Sequence, residues 1–152
     1  MFENSAVPAI EILLIEDNPG DVRLMREVFK DSRVRNNLNV AEDGVQALEF
    51  LRRQGAYAHA ARPGLILLDL NLPKKDGRQV LSEIKEDHDF KSIPVLILTT
   101  SHAAEDVRRS YALHANCYIT KPFDLEEFIQ IVKMIERFWM GVVLLPAAEG
   151  LT

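Results

Sequence analysis

The stretch Leu65-Ile66-Leu67-Leu68-Asp69-Leu70-Asn71-Leu72-Pro73 decides the fold. Four consecutive apolar residues without period-2 alternation fit a strand covered on both faces, as in a parallel sheet. The run stops at an aspartate. Three other stretches repeat the pattern: Ile12–Ile15 runs into Glu16-Asp17, Val95–Leu98 into Thr99-Thr100, and Tyr118–Ile119 leads to Lys121. A weaker run, Leu38–Ala41, fits between the first and second strands. Helical spacing fills the intervals, most clearly at Gly77, Val80, Leu81 and Ile84 (i, i+3, i+4, i+7). Val22, Met25, Val28 and Phe29 mark a second helix, Val45, Leu48 and Leu51 a third, and Val107 and Tyr111 a fourth. Asp124 and Glu127 open the last helix as a capping pair. Five alternations of strand and helix predict a doubly wound α/β domain with a parallel sheet.

Composition narrows the class. The 152 residues suit one domain, which at this size buries roughly 68–70% of its unfolded surface. Eighteen basic against 23 acidic residues leave a net charge of −5, which argues against a nucleic-acid partner. One cysteine forms no internal disulfide, so a reducing, cytoplasmic setting is expected. Met1–Ala9 lacks the pattern of a secretory signal. The longest apolar run, Phe138–Pro146, falls far short of the ~20 residues that span a bilayer. His59, His88, His102 and His114 show no metal-ligand spacing, and Cys117 reads as a small core residue.

Polar residues at the ends of four parallel strands share one edge of the sheet, where open α/β folds bind ligands. Three carboxylates gathered there repel one another unless a cation joins them. An all-oxygen donor set selects a hard ion such as Mg²⁺. Lysine and a threonine hydroxyl are natural partners of a phosphoryl group. An aspartate in that company is an acceptor for covalent phosphoryl transfer.

On these residues the chain resembles the receiver domains of two-component response regulators. The motifs are Ile15-Glu16-Asp17-Asn18, Leu68-Asp69-Leu70-Asn71-Leu72-Pro73, Gly77, Leu98-Thr99-Thr100-Ser101 and Lys121-Pro122-Phe123. The resemblance implies a flavodoxin-like five-stranded sheet of order 2-1-3-4-5. It implies Asp69 as phosphoacceptor, and Glu16, Asp17, Asp69 and the backbone carbonyl of Asn71 as Mg²⁺ ligands. Thr99 and Lys121 would bind the phosphoryl group, and Tyr118 would change rotamer with it. Asn71 and Ser101 stand where family members tune phosphate hydrolysis, and the Lys121–Pro122 bond would be cis. The partner would be a sensor histidine kinase. The long segment Leu51–Pro63, with Leu70–Arg78, looks like the stand-alone regulators paired with bacterial phytochromes.

The organisation expected is an N-terminal tail (1–8), a receiver (9–139) and an apolar C-terminal extension (140–152). Laid on one helix at ~100° per residue, Leu125, Phe128, Ile129, Val132, Ile135 and Trp139 face the sheet. Ile131, Met134 and Phe138 extend the apolar arc beyond it, and Val142, Val143, Leu144 and Leu145 follow. Surplus apolar surface of this kind marks an interface, so a homodimer built on these seven residues is expected. The alternative is a tail folded back on its own domain. Thirteen residues after Trp139 leave no room for an output domain. Output would then pass through a protein contact, or through onward transfer to a histidine phosphotransfer protein. Such a chain is a signalling receiver that catalyses its own phosphorylation and dephosphorylation. The competing class is a Mg²⁺-dependent phosphohydrolase using Asp69 on small esters.

Overall fold

The structure, a computed structural model, describes residues 8–146. Five strands, β1 (Ile10–Ile15), β2 (Asn36–Ala41), β3 (Leu65–Leu68), β4 (Val95–Thr99) and β5 (Cys117–Thr120), alternate with five helices. The helices are α1 (Pro19–Lys30), α2 (Gly44–Leu51), α3 (Gly77–Glu86), α4 (Ala104–Ala112) and α5 (Leu125–Ile135). All strand pairs are parallel, and the order is β2-β1-β3-β4-β5. This is the flavodoxin-like order that the resemblance implied. The order reverses direction between β1 and β3, the switch point at which such sheets open a crevice.

Alternate residues of the apolar runs go to opposite faces. Leu13, Ile15, Ile66, Leu68, Val95 and Ile97 meet Ala47, Leu48 and Leu51 of α2 and Val80, Leu81 and Ile84 of α3. On the other face Ile12, Leu14, Leu65, Leu67, Leu96 and Leu98 meet Met25 and Phe29 of α1 and Phe128, Val132 and Ile135 of α5. Each fully buried side chain of this size contributes about 1.5–3 kcal/mol. That two-sided burial explains why β1, β3 and β4 show no polar alternation; the edge strand β2 alternates at Asn37-Leu38-Asn39-Val40.

The helix starts are written in short polar side chains. Asn18, Asp43, Asp76 and Asp124 cap α1, α2, α3 and α5, accepting from the backbone N–H of Asp21, Gln46, Arg78 and Glu127. The close of the chain departs from the expectation. Regular α5 ends at Ile135, and Glu136–Met140 widens into one π-turn. That turn breaks the constant 100° advance and carries Met140, assigned to the extension, into the core beside Ile135. Leu125, expected to face the sheet, is 63% exposed on the first turn of α5. Lys121–Pro122 is trans, not cis as implied; trans is the intrinsic preference of an X–Pro amide by about 0.5–1 kcal/mol. The long segment after α2 forms a 3₁₀ turn at Gly55–Tyr57, and Tyr57 packs on Phe50 with ring centres 5.4 Å apart.

Candidate functional site

Strand register brings the C-terminal ends level: Ile15 pairs with Leu68, Leu68 with Ile97, and Thr99 with Thr120. The next residues therefore share one cleft. Lys121 is its centre. The ammonium donates to Glu16 Oε1 at 2.6 Å, Asp21 Oδ2 at 2.8 Å and Asp69 Oδ2 at 3.2 Å. Lys121, Glu16 and Asp69 are buried, while Asp17 is exposed at the mouth. The second oxygens are also engaged: Asn18 N–H donates to Glu16 Oε2 at 3.2 Å, and Asn71 N–H to Asp69 Oδ1 at 3.1 Å.

Four carboxylates facing one ammonium leave the cleft short of positive charge. Burial pushes the Glu16 carboxyl up to about 7; the Lys121 hydrogen bond pulls it down, and nearby Asp69 adds to the rise. Burial works against the Lys121 ammonium too, but the hydrogen bonds it donates to Asp21 and Glu16 outweigh it and hold its pKa above the ordinary lysine value. Glu16, Asp17 and Asp69 each place a carboxylate oxygen within 4.8 Å of the others. This all-oxygen, anion-rich set fits a hard divalent cation. Asn71 is exposed beside it.

Thr99 is fully buried at the end of β4, and its Oγ1 accepts a long contact, 3.5 Å, from Ser101 N–H. Tyr118 on β5 is half-buried, and its hydroxyl donates to the Ser101 carbonyl at 2.8 Å. Burial raises the Tyr118 pKa. The sequence-derived set thus converges, with one member missed. Asp21, the acid of the first turn of α1, reaches Lys121 as closely as the strand-end residues do. Its place in the first turn of α1, directly after the Glu16-Asp17 strand end, was the available signal.

The residues expected at a dimer interface divide into two groups. Met134, Phe138, Val142 and Leu144 are exposed, by 55%, 52%, 65% and 95%. Ile131, Val143 and Leu145 are half-buried, and Ile131 and Leu145 pack on the α1/α5 side of the core. Part of the tail therefore folds back, while an apolar face along Met134, Phe138 and Val142 stays open beside Ile119 and Trp139. Among the described residues no helix is long and apolar enough to cross a membrane.

Comparison with known proteins agrees with this arrangement. The model of the response regulator receiver domain family matches residues 12–133. Response regulator Rcp1 of Synechocystis sp. is 52% identical over 148 residues, covering 97% of this chain and 100% of that protein. A crystal structure of the Mn(2+)-bound form of Rcp1 superposes with a TM-score of 0.89 at 53% identity, over 91% of this chain and 99% of the other. The phosphorylated cyanobacterial phytochrome response regulator RcpA gives a TM-score of 0.89 at 51% identity, over 92% and 100%. With its parallel sheet, its strand-end carboxylates and its buried lysine, this chain belongs to the response regulator receiver domain family.

Proposed function

We propose that the chain is a stand-alone response regulator that takes a phosphoryl group from a sensor histidine kinase onto Asp69. In the transfer the P–N bond of a phosphohistidine breaks and a P–O bond to an Asp69 carboxylate oxygen forms, giving an acyl phosphate. The observation that carries this reading is the Lys121 ammonium bound at once to Glu16, Asp21 and Asp69 in a buried cleft. A buried carboxylate flanked by an ammonium is prepared for positioning and charge neutralisation, which is nearly all that phosphoryl transfer demands.

Glu16, Asp17 and Asp69, with the Asn71 carbonyl, would hold Mg²⁺, which supplies charge neutralisation for the phosphoryl oxygens. Lys121 binds one phosphoryl oxygen and the Thr99 hydroxyl donates to another. Pulling Thr99 shifts the loop that Tyr118 contacts, so the surface around α4, β5 and α5 changes its affinity for a partner. The acyl phosphate is formed and hydrolysed in this same cleft. A Mn(2+)-bound relative and a phosphorylated one support this chemistry.

The receiver is the segment 9–139 with Met140 added to its core, and 141–146 extends the contact surface, while 147–152 lie outside the described residues. The kinase is a light-sensing one of the phytochrome class, supported by the likeness to RcpA. Output passes to a protein target or a histidine phosphotransfer protein, not to nucleic acid or a membrane, and the setting is cytoplasmic. A homodimer forms on Ile131, Met134, Phe138, Val142, Val143, Leu144 and Leu145, supported by the open apolar face along α5. The test is transfer from autophosphorylated kinases to the full chain. Label leaving a phytochrome-class kinase for the wild type but not for Asp69→Asn is expected. Label only from kinases of another class removes the light-sensing partner, and label from none overturns the receiver reading.

A further inference from the structure

The polar contacts around the cleft include one group that the phosphorylation chemistry leaves unused. Arg78 is the second residue of α3, and α3 is set hard against the loop after Asp69. Gly77 N–H donates to Leu70 O at 2.9 Å, and a Cβ at Gly77 would stand 2.3 Å from Asp69 O. The start of α3, and Arg78 with it, therefore has a fixed relation to the acceptor loop. From there the guanidinium reaches across to α4. Its Nε donates to Asp106 Oδ1 at 2.8 Å and its Nη2 to Asp106 Oδ2 at 2.7 Å, a bidentate fork. Its Nη1 donates to Asp76 Oδ1 at 2.9 Å and makes a longer contact, 3.5 Å, with Leu70 O.

Asp106 has a further partner. Ser101 Oγ donates to Asp106 Oδ2 at 2.5 Å, and the carbonyl of the same Ser101 accepts from the Tyr118 hydroxyl at 2.8 Å. Side-chain contacts thus run Asp76–Arg78–Asp106–Ser101, and the Ser101 backbone carries the set on to Tyr118, from the rim of the acceptor loop to β5. Thr99 lies beside it, its Oγ1 accepting the long 3.5 Å contact from Ser101 N–H. The ion pair is mostly covered, with 21% and 16% of the two side chains exposed. Both partners are also held firmly in their charged forms: hydrogen bonds from Arg78 and Ser101 bring the Asp106 carboxyl down to about 2.

We propose that Arg78 and Asp106 are positioning residues of the switch: they fix the Ser101 hydroxyl, and through it the carbonyl that receives Tyr118. The planar fork sets Asp106 in one orientation, and Asp106 sets Ser101. Tyr118 then finds its acceptor at a defined place before any phosphoryl group arrives. Arg78 meets the acceptor loop at Asp76 and Leu70 O, but neither Arg78 nor Asp106 bonds Lys121, Glu16 or Asp69, so their removal loosens Tyr118 and leaves the Lys121 ion pairs in place. The significance for signalling rests on the receiver reading; the contact itself does not.

The full chain labelled with 3-fluorotyrosine carries three tyrosines, Tyr57, Tyr111 and Tyr118. Fluorine NMR, with Tyr118→Phe for assignment, reads the hydroxyl environment directly in the unphosphorylated protein. Arg78→Met and Asp106→Asn are each expected to displace the Tyr118 resonance by more than its linewidth while Tyr57 stays in place. Arg78→Lys keeps the charge but loses the fork, and is expected to displace it as well. Circular dichroism identifies the folded variants. A Tyr118 resonance at the wild-type position in any folded one of the three overturns the proposal. Intact mass after acetyl phosphate and Mg²⁺ separates the two readings. A wild type that gains nothing counts against the receiver chemistry and leaves the fluorine result standing.

Discussion

Gly77→Ala is the sharpest perturbation the structure offers. An alanine Cβ there would lie 2.3 Å from Asp69 O, 2.6 Å from Leu70 Cα and 2.8 Å from Leu70 O. Non-bonded heavy atoms rest about 3.5 Å apart, so α3 and the acceptor loop must separate by roughly 1 Å. All three obstructing atoms are backbone, which cannot rotate away as a side-chain tip can. Overpacking of this kind costs about 1–3 kcal/mol, and each kcal/mol lowers the melting temperature by about 2–4 °C in a chain of this size. The displaced atoms belong to Asp69 and its neighbour, so the chemistry suffers too. A misplacement of about 1 Å costs on the order of 10²-fold in rate. Thermal melting and the rate of phosphorylation by acetyl phosphate measure the two effects. Gly141→Ala is the control: nothing lies within 4 Å of its added Cβ and its backbone is already helical, so it should melt at or slightly above wild type. Gly77→Ala melting within a degree of wild type and phosphorylating at the wild-type rate would refute the reasoning.

Removal of the buried ammonium by Lys121→Met leaves Glu16 and Asp69 without their shared partner, and unfolding in chelator at pH 8 should become easier by about 3–5 kcal/mol. An unchanged melting curve would count against the charge balance described. For Asp106 the folded pKa, about 2, lies below the ordinary 3.8. Its stabilisation is therefore complete above the unfolded value and disappears as pH falls towards the folded one. The gap in unfolding free energy between wild type and Asp106→Asn should hold steady from neutral pH down to about 4 and shrink below it; a gap that widens with acid contradicts the ion pair. Phe138→Glu places a charge on an apolar face that is open in one chain. If the proposed homodimer uses this face, sedimentation should show a dimeric wild type and a monomeric variant, with folding stability changed by no more than about 0.5 kcal/mol; a monomeric wild type contradicts the proposal.

The sheet and most of the cleft were legible in the sequence for one physical reason. Strands covered on both faces write themselves as unbroken apolar runs, so the polar residue that ends each run stands out, as Glu16, Asp69 and Thr99 do; Lys121 follows the edge strand β5 after Thr120. Asp21 escaped because an acid in the first turn of a helix is also explained by the helix dipole. The Arg78–Asp106 fork joins residues 28 apart, and no local pattern encodes how α3 and α4 are placed relative to each other. At the end of the chain a constant 100° advance was assumed. The π-turn at Glu136–Met140 breaks that advance and sends Met140 inward, which spacing alone does not reveal.

The most direct test of the central claim is intact mass after incubation with acetyl phosphate and Mg²⁺, beside Asp69→Asn and a chelated control. The account predicts the gain of one phosphoryl group by the wild type, and none by the variant or without metal. A gain that persists in Asp69→Asn, or steady release of inorganic phosphate with no adduct at all, would contradict it.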